Sequence, residues 1–322
     1  MSPKEAAKHL VGKKNIMIIT GAGLSAASGI PTFRGDNGFW SRSYGGVTDP
    51  TEILTYTFFV KRPQLVWQWH FDFIELADKC KPNQGHKAIL KFQEHCKLSK
   101  GKVSCTLVTQ NIDDFDAQLI KASKILTPTP LVNEEGTTDY PFTPYVLEMH
   151  GNTRFMRCSD ESKDCSRKFY KAPGLEEVTD RTNHVPLCKE CGDYMKPHAM
   201  FFDESYSEHY YRDQTTNNFA EDADALIVVG TALQTSGARR LVYRMLDKMK
   251  IPVIEINNNP CIEEGYSLTV TEKSEVSLDQ MFTELYRLES APAGTVKKPV
   301  AQAKPNLLAP QPAPVGKAAS PK

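Results

Sequence analysis

The residues of this chain best suited to chemistry fall into two groups: four cysteines within one stretch, and polar side chains set directly after apolar runs. Cys188 and Cys191 enclose two residues and are followed by Gly192, the kind of turn in which backbone N–H groups approach two thiolates on one metal. Cys158 and Cys165, more widely spaced, complete a set of four. Four thiolates suit a tetrahedral Zn²⁺ and leave it no open position, so this metal stabilises and does not catalyse. Coincidental buried thiols are the competing reading, and they explain the Cys188–Cys191 spacing less well.

The second group stands at the ends of two short apolar runs. Val103 to Thr109 leads into Gln110-Asn111-Ile112-Asp113, and Val146 to Met149 delivers His150 and Gly151. Imidazole titrates near neutral pH and so suits proton transfer, although a lone histidine is more often a packing or hydrogen-bonding residue. Amide and acid side chains just beyond a strand fall where open α/β sheets gather their ligands, and a side-chain-capped turn uses the same residue types.

These residues need a sheet to position them. Asn15 to Thr20 reads as a buried parallel strand, followed by Gly21-Ala22-Gly23, a sharp turn whose N–H groups face outward at the start of a helix through Ser25 and Ser28. The next glycine is Gly29, so the spacing is not that of the standard dinucleotide fingerprint, and the turn alone is compatible with a purely structural role. Ala225 to Thr231 and Pro252 to Asn257 read as two more parallel strands ending in polar residues, with helices over Ala238 to Lys248 and Val276 to Leu288. The expected fold is α/β, a Rossmann-like parallel sheet carrying an inserted small zinc-binding domain. Residues 51–80 read as two helices broken at Pro63, their aromatics mostly core. Asn83 is available to cap a helix after Pro82, and His86 reads as packing. The loop from Gly38 to Pro50 has the composition of a ligand flap, with Phe39 and Trp40 as core residues the equal alternative. The proline-rich stretch 121–145 reads as an insertion.

Composition excludes several classes. With 322 residues, 40% of them hydrophobic and 24% charged, the chain is an ordinary globular one, and its 39 basic and 39 acidic residues balance. The balance hides a basic tail: Lys297, Lys298, Lys304, Lys317 and Lys322 face no acid beyond residue 290, where a third of the 21 prolines also lie. Residues 289–322 therefore read as a disordered Pro/Ala/Lys-rich extension. No net charge points to nucleic acid, no segment has the length of a membrane span, and the N-terminus resembles no leader, so a cytoplasmic or nuclear setting is expected. There eight cysteines are more readily metal ligands or thiols than disulfides.

The opening stretch Gly21-Ala22-Gly23-Leu24-Ser25, continued by Ser28-Gly29-Ile30-Pro31-Thr32-Phe33-Arg34, resembles the signature of the sirtuins, the NAD-dependent protein lysine deacylases. The segments Gln110 to Asp113, His150-Gly151, the four cysteines, Gly230-Thr231 and Asn257 follow in the family's order, over about residues 8–288. The resemblance implies a large NAD-binding domain (8–150 and 205–288), a zinc module at about 151–204, and NAD meeting an acyl-lysine peptide between them. It places Gly21, Ala22, Gly23 and Ser25 at the pyrophosphate, and Phe33 and Arg34 over the nicotinamide ribose. Gln110, Asn111, Ile112 and Asp113 would orient ribose and nicotinamide, and Gly230, Thr231 and Asn257 would meet adenosine. His150 would be the general base and Asn111 its catalytic companion, yielding free lysine, nicotinamide and O-acyl-ADP-ribose. Oligomeric state is left open.

The chain departs from the family pattern in places. Ala232 replaces a serine, removing a hydroxyl worth about 1 kcal/mol to NAD binding, and Asp203 replaces the glycine of Phe-Gly-Glu. Trp67 to Leu76 contains neither residue of the Tyr-x-x-Arg clamp that holds acidic acyl groups, and Asp72 and Glu75 there would repel such groups, so a neutral acyl group is expected. An NAD glycohydrolase or mono-ADP-ribosyltransferase, and a non-catalytic NAD sensor, are the alternative functions.

Overall fold

The computed structural model describes residues 1–33, 39–126, 145–248 and 251–292. Arg34, most of the expected insertion and nearly all of the basic tail lie outside these described residues. The strands in chain order are β1 (Asn15–Thr20), β2 (Ser104–Thr109), β3 (Val146–Glu148), β4 (Gly151–Cys158), β5 (Tyr170–Lys171), β6 (Met195–Ala199), β7 (Ala225–Val229), β8 (Val253–Ile256) and β9 (Leu268–Val270). Six of them form one sheet in the order β3-β2-β1-β7-β8-β9, every pair parallel. The chain order reverses between β1 and β7, and ligands of open α/β sheets bind beyond the carboxyl ends of the strands at such a switch point.

Both faces of this sheet are covered, which is why its strands read as unbroken apolar runs. Along β1, Ile16 and Ile18 point into one core and Met17 and Ile19 into another. The first core is closed by helices Gln84–Leu98 and Ser274–Glu289, where Phe92 stacks on Phe282 with ring centroids 4.3 Å apart. The second is closed by helices Asp213–Asp222 and Ser236–Lys248. The helix Gln84–Leu98 starts where the sequence offers Asn83, whose side chain accepts from the Gly85 N–H at 2.8 Å while His86 Nδ1 accepts from the Asn83 N–H at 3.3 Å.

A third core joins the cysteine region to helices Tyr56–Lys61 and Pro63–Asp78. It packs Phe59, Trp67, Phe71 and Phe73 with Cys158, Cys165, Met195 and Phe201, and the Trp67 indole N–H donates to the Met195 carbonyl at 2.8 Å. The helices from 56 to 78 thus share a core with the cysteine region that follows β3. The module has its own antiparallel sheet, β5-β4-β6, with a register shift between Gly151 and Met156. The helix expected at Ser25 to Ser28 runs instead from Ala22 to Ala26, beginning directly after Gly21.

The expected flap is anchored where it is described. Phe39 is buried against Trp69 and Phe73, the Trp40 indole donates to the Pro31 carbonyl at 2.9 Å, and the Tyr44 hydroxyl donates to Asp72 at 2.8 Å. These aromatics are core.

Candidate active site

The carboxyl edge of the sheet brings most of the predicted residues together. The turn after β1 lies against the turn after β7: the Gly21 N–H donates to the Val229 carbonyl at 3.0 Å, and the Gly23 N–H to the Gly230 carbonyl at 2.8 Å. There is no room between them for side chains. A Cβ on Gly23 would lie 2.7 Å from the Gly230 carbonyl oxygen and 2.8 Å from its Cα, and one on Gly21 would lie 2.7 Å from the Thr231 Cβ. Glycine is therefore required here first for backbone contact at the switch point, and that contact sets Ala22 at the start of the following helix.

Gln110, next after β2, spans the site. Its amide donates to Thr231 Oγ1 at 2.9 Å and to the Thr20 carbonyl at 3.2 Å, and its side-chain oxygen accepts from the Thr235 hydroxyl at 3.0 Å. Asn111 donates to the Gly21 carbonyl and to Ser25 Oγ, both at 3.1 Å. The Ser25 hydroxyl in turn donates to Asp113 Oδ2 at 2.6 Å, so the two buried side chains hold Asn111 against the first turn. The Ile112 carbonyl accepts from the Thr153 N–H and hydroxyl at 3.1 and 2.8 Å. Asn257, after β8, donates to the Thr231 carbonyl at 2.9 Å. Ala232 is exposed beside it. Phe33 lies at the edge of an aromatic group, its ring 4.8 Å from Trp40 and 5.5 Å from the exposed Phe202.

His150 has a defined tautomer. Its Nδ1 lies 3.0 Å from the Gln110 carbonyl oxygen, which only accepts, so Nδ1 carries the proton. Burial pulls the imidazole pKa down to about 4, against the smaller opposite effect of that carbonyl, so the ring is neutral at pH 7. Nε2 is then the one nitrogen able to accept a proton, and it lies 2.9 Å from the Tyr206 hydroxyl. Neither Tyr206 nor Thr235 was indicated by the sequence, because both sit in connections without a motif and reach the site only through the fold.

Beneath this edge lies a group of carboxylates. Asn152 Nδ2 bridges Asp114 Oδ1 and Glu148 Oε1, each at 2.7 Å, and Asp116 is buried nearby. Burial raises the pKa of Asp113 and of Asp114, pushes Asp116 up to about 8, and lifts Glu148 well above the usual carboxylate range.

The four cysteines converge as expected. Their sulfurs all lie within 4.8 Å of one another, with Cys158 and Cys165 each 3.5 Å from Cys191. A Zn²⁺ with bonds of about 2.3 Å demands tetrahedral edges of about 3.8 Å, so the set fits that metal. Cys188 and Cys191 sit on a turn closed by the Gly192 N–H donating to the Cys188 carbonyl at 2.8 Å. No other three or more His, Cys, Asp or Glu side chains among the described residues are placed to hold one metal ion.

Asp72 and Glu75, expected to repel an acidic acyl group, are both paired: Asp72 with Arg42 at 3.3 Å, and Glu75 with Lys79 and with Arg181 at 3.3 and 3.2 Å. That expectation loses its electrostatic half and keeps only the missing clamp.

The comparisons with known proteins agree with this geometry. Residues 21–122 and 137–236 match the Sir2 family. An NAD-dependent protein deacylase of Pyrococcus abyssi (strain GE5 / Orsay) is 32% identical over 257 residues, covering 79% of this chain and 85% of that protein. One of Aquifex aeolicus (strain VF5) is 30% identical over 76% of this chain and 83% of its own. A crystal structure of a Sir2 homologue in complex with NAD aligns with a TM-score of 0.68 at 25% identity, over 89% of this chain and 95% of that one. A structure solved for the mechanism and regulation of Sir2 enzymes aligns at 0.65 and 28% identity, over 89% and 98%. The chain belongs to the Sir2 family, the sirtuins.

Proposed function

We propose that this protein is an NAD-dependent protein lysine deacylase, transferring the acyl group of a lysine side chain to ADP-ribose with release of nicotinamide. The observation that carries the reading is His150: a neutral imidazole whose Nε2 presents a lone pair, at the carboxyl edge of the parallel sheet, oriented by the Gln110 backbone. The Pyrococcus and Aquifex relatives are named for the same activity.

NAD, when bound, supplies an electrophilic ribosyl carbon as nicotinamide leaves. The chain's own residues then have separate tasks. The Gly21–Gly23 turn, with Ala22, presents backbone to the pyrophosphate. Gly230, Thr231 and Asn257 form the adenosine side, where Asn257 fixes the Thr231 carbonyl. Asn111, held by Ser25 and Asp113, and Gln110 with Ile112 face the nicotinamide and its ribose. Phe33 covers that end, and Arg34, outside the described residues, is assigned to it by the family resemblance. His150 Nε2 is the base that lets a ribose hydroxyl lose its proton, so that its oxygen attacks the acyl carbon. Cys158, Cys165, Cys188 and Cys191 hold a structural Zn²⁺ in a small module between two halves of an NAD-binding domain. The acyl group is neutral, since Trp67 to Leu76 holds no Tyr or Arg to clamp a carboxylate. A cytoplasmic or nuclear setting fits eight cysteines that are all free of disulfides, and no helix among the described residues is long and apolar enough to cross a membrane.

The test is to incubate the purified protein with NAD and an acetyl-lysine peptide, following peptide mass and free nicotinamide, with His150→Ala alongside. Deacetylation that requires both NAD and His150 is the expected result. Nicotinamide release with the peptide unchanged would move the assignment to a glycohydrolase or ADP-ribosyltransferase, and silence in both channels to an NAD sensor.

A further inference from the structure

The proton-accepting nitrogen of His150 is already occupied in this structure, and by a side chain from outside the family motifs. Tyr206 lies in the connection that returns the chain from the cysteine module, 56 residues after His150. Its hydroxyl is 2.9 Å from Nε2. Because Nδ1 donates to Gln110, Nε2 presents a lone pair, and the phenol must be the donor. Burial raises the Tyr206 pKa, against the Gly237 N–H and the Thr235 hydroxyl, so the phenol is intact at neutral pH.

The surroundings hold the hydroxyl in that place. Gly237, in the first turn of helix Ser236–Lys248, has no side chain to keep the ring away: a Cβ there would lie 2.3 Å from Tyr206 Cζ and 2.7 Å from its oxygen. The Arg240 guanidinium lies 5.9 Å from the ring centroid. Thr235 donates to the Gln110 side chain, the residue whose backbone carbonyl orients His150. The tyrosine, the histidine, Gln110 and the helix start at 236 thus form one connected set of hydrogen bonds.

We propose that Tyr206 relays the proton to His150. A substrate ribose hydroxyl donates its proton to the phenol oxygen as the phenol passes its own proton to Nε2. One ribose O–H bond breaks and one phenol O–H bond forms, while the original phenol O–H breaks and an N–H forms on Nε2. The tyrosine ends unchanged, the histidine ends as imidazolium, and the ribose oxygen is left as the nucleophile. Before turnover the same hydroxyl fixes the ring with Nε2 unprotonated. This inference rests on the deacylase reading for the identity of the hydroxyl, and on geometry alone for the contact.

Two arms test it. In ligand-free protein labelled with ¹⁵N-histidine, the Nε2 resonance of His150 should report a hydrogen-bonded lone pair, and Tyr206→Phe, which keeps the ring and the fold, should shift it toward a free lone pair or mix the tautomers. An unshifted resonance overturns the proposal without any turnover. In the second arm, Tyr206→Phe and Gly237→Ala, which displaces the ring, should each lower kcat by about tenfold to a hundredfold with the NAD KM changed less than twofold. The proton inventory in mixed H₂O and D₂O should be curved for the wild type and straight for Tyr206→Phe. A variant that turns over like the wild type, with the same inventory, overturns the relay. Failure of the deacylase reading looks different: the wild type itself leaves the acyl peptide intact, and the resonance arm still decides the contact.

Discussion

The carboxyl edge of the parallel sheet and the four-cysteine module are both built to hold side chains in place, and they do so by opposite means. At the sheet edge the framework is backbone: two glycine turns pressed together, and neutral groups such as Gln110, Asn111 and His150 suspended from carbonyls and hydroxyls. In the module the backbone is irregular, with a three-residue 3₁₀ turn and a strand β5 of two residues, and four sulfurs gather within 4.8 Å of one another in a set that fits one metal. The first region owes its order to packing accumulated over a large core. The second is too small to supply such a core, and the proposed zinc would make up the difference.

Removing the metal should separate the two most sharply. A structural zinc of this type contributes on the order of 10 kcal/mol to the folding of its module. Chelation, or Cys188→Ser, is expected to release zinc, unfold the β4–β6 region and change the fluorescence of Trp67, whose indole is bonded to Met195. Amide exchange in β1, β2 and β7 should slow almost as in the intact protein. Equal loss of protection in both regions would show that they fold as one unit.

The sheet edge instead carries its burden as protons. Asp116 is buried with a pKa pushed up to about 8, against about 3.9 in an unfolded chain. A group whose folded pKa is raised binds more protons in the native state, so for a carboxylate the penalty is absent below pH 4 and grows until the pH passes the folded value. Asp116→Asn, which keeps the shape without the charge, is expected to stabilise the protein by a few kcal/mol at pH 8.5 and by almost nothing at pH 4. Urea unfolding across that range measures it, and a pH-independent difference would assign the effect to packing. The imidazoles run the other way. Burial holds His70 and His150 near pKa 4 and His86 near 3, so their contribution is present above about pH 6.5 and is lost as the pH falls toward those values. By the same reasoning His150 stays a competent base throughout the neutral range, and the acid limb of kcat/KM should fall below pH 5.

The backbone framework can be broken directly. Gly23→Ala forces a methyl to within 2.7 Å of the Gly230 carbonyl, neither of which belongs to a flexible side chain. Overpacking of this sort costs typically about 1–3 kcal/mol. Because the turns of β1 and β7 must part to admit it, NAD affinity measured by calorimetry should fall more than global stability does. The reverse order would place Gly23 in the fold and outside the binding site.

How much of this was legible in the sequence follows from the same contrast. The parallel strands could be read because burial on both faces leaves them continuously apolar, and the polar residues just beyond them fell at the sheet edge as a consequence. The cysteines were legible because metal spacing is local. What escaped was non-local. Ser25 and Asp113, expected at the ligand, also meet each other across 88 positions and hold Asn111, a contact that no local pattern signals. Tyr206 is carried to His150 by a connection whose composition signals nothing. Asp72 and Glu75 looked like free charges until Arg42, Lys79 and Arg181 were folded against them. The aromatics of helix Pro63–Asp78 were legible as core, while the core they joined was the cysteine module's.

Asp203 tests the seam between the two regions, and with the smallest effect. Where the family pattern has glycine, this carboxylate leaves the returning chain and accepts from the Tyr56 N–H at 2.6 Å and from the Thr57 N–H and hydroxyl, both at 3.0 Å. Those N–H groups belong to the first turn of helix Tyr56–Lys61, which has no intrahelical partners for them. Burial alone would raise the Asp203 pKa, and the Thr57 and Tyr56 hydrogen bonds outweigh it, leaving it below the usual value. A depressed carboxylate pKa stabilises the native state above the unfolded value of about 3.9 and ceases to do so as the pH falls through the folded one. Asp203→Ala should therefore cost about 1 kcal/mol at pH 7 and little at pH 2.5, as capping losses do. Asp203→Asn should recover part of it by keeping an acceptor oxygen. The neighbouring Phe202 N–H still donates to the Leu54 carbonyl at 2.9 Å, so the helix should loosen at one end without detaching. Equal stabilities of the wild type and Asp203→Ala at pH 7 would show that the aspartate is a solvated replacement for glycine, and that the module is held to the helix by aromatic packing and its other hydrogen bonds.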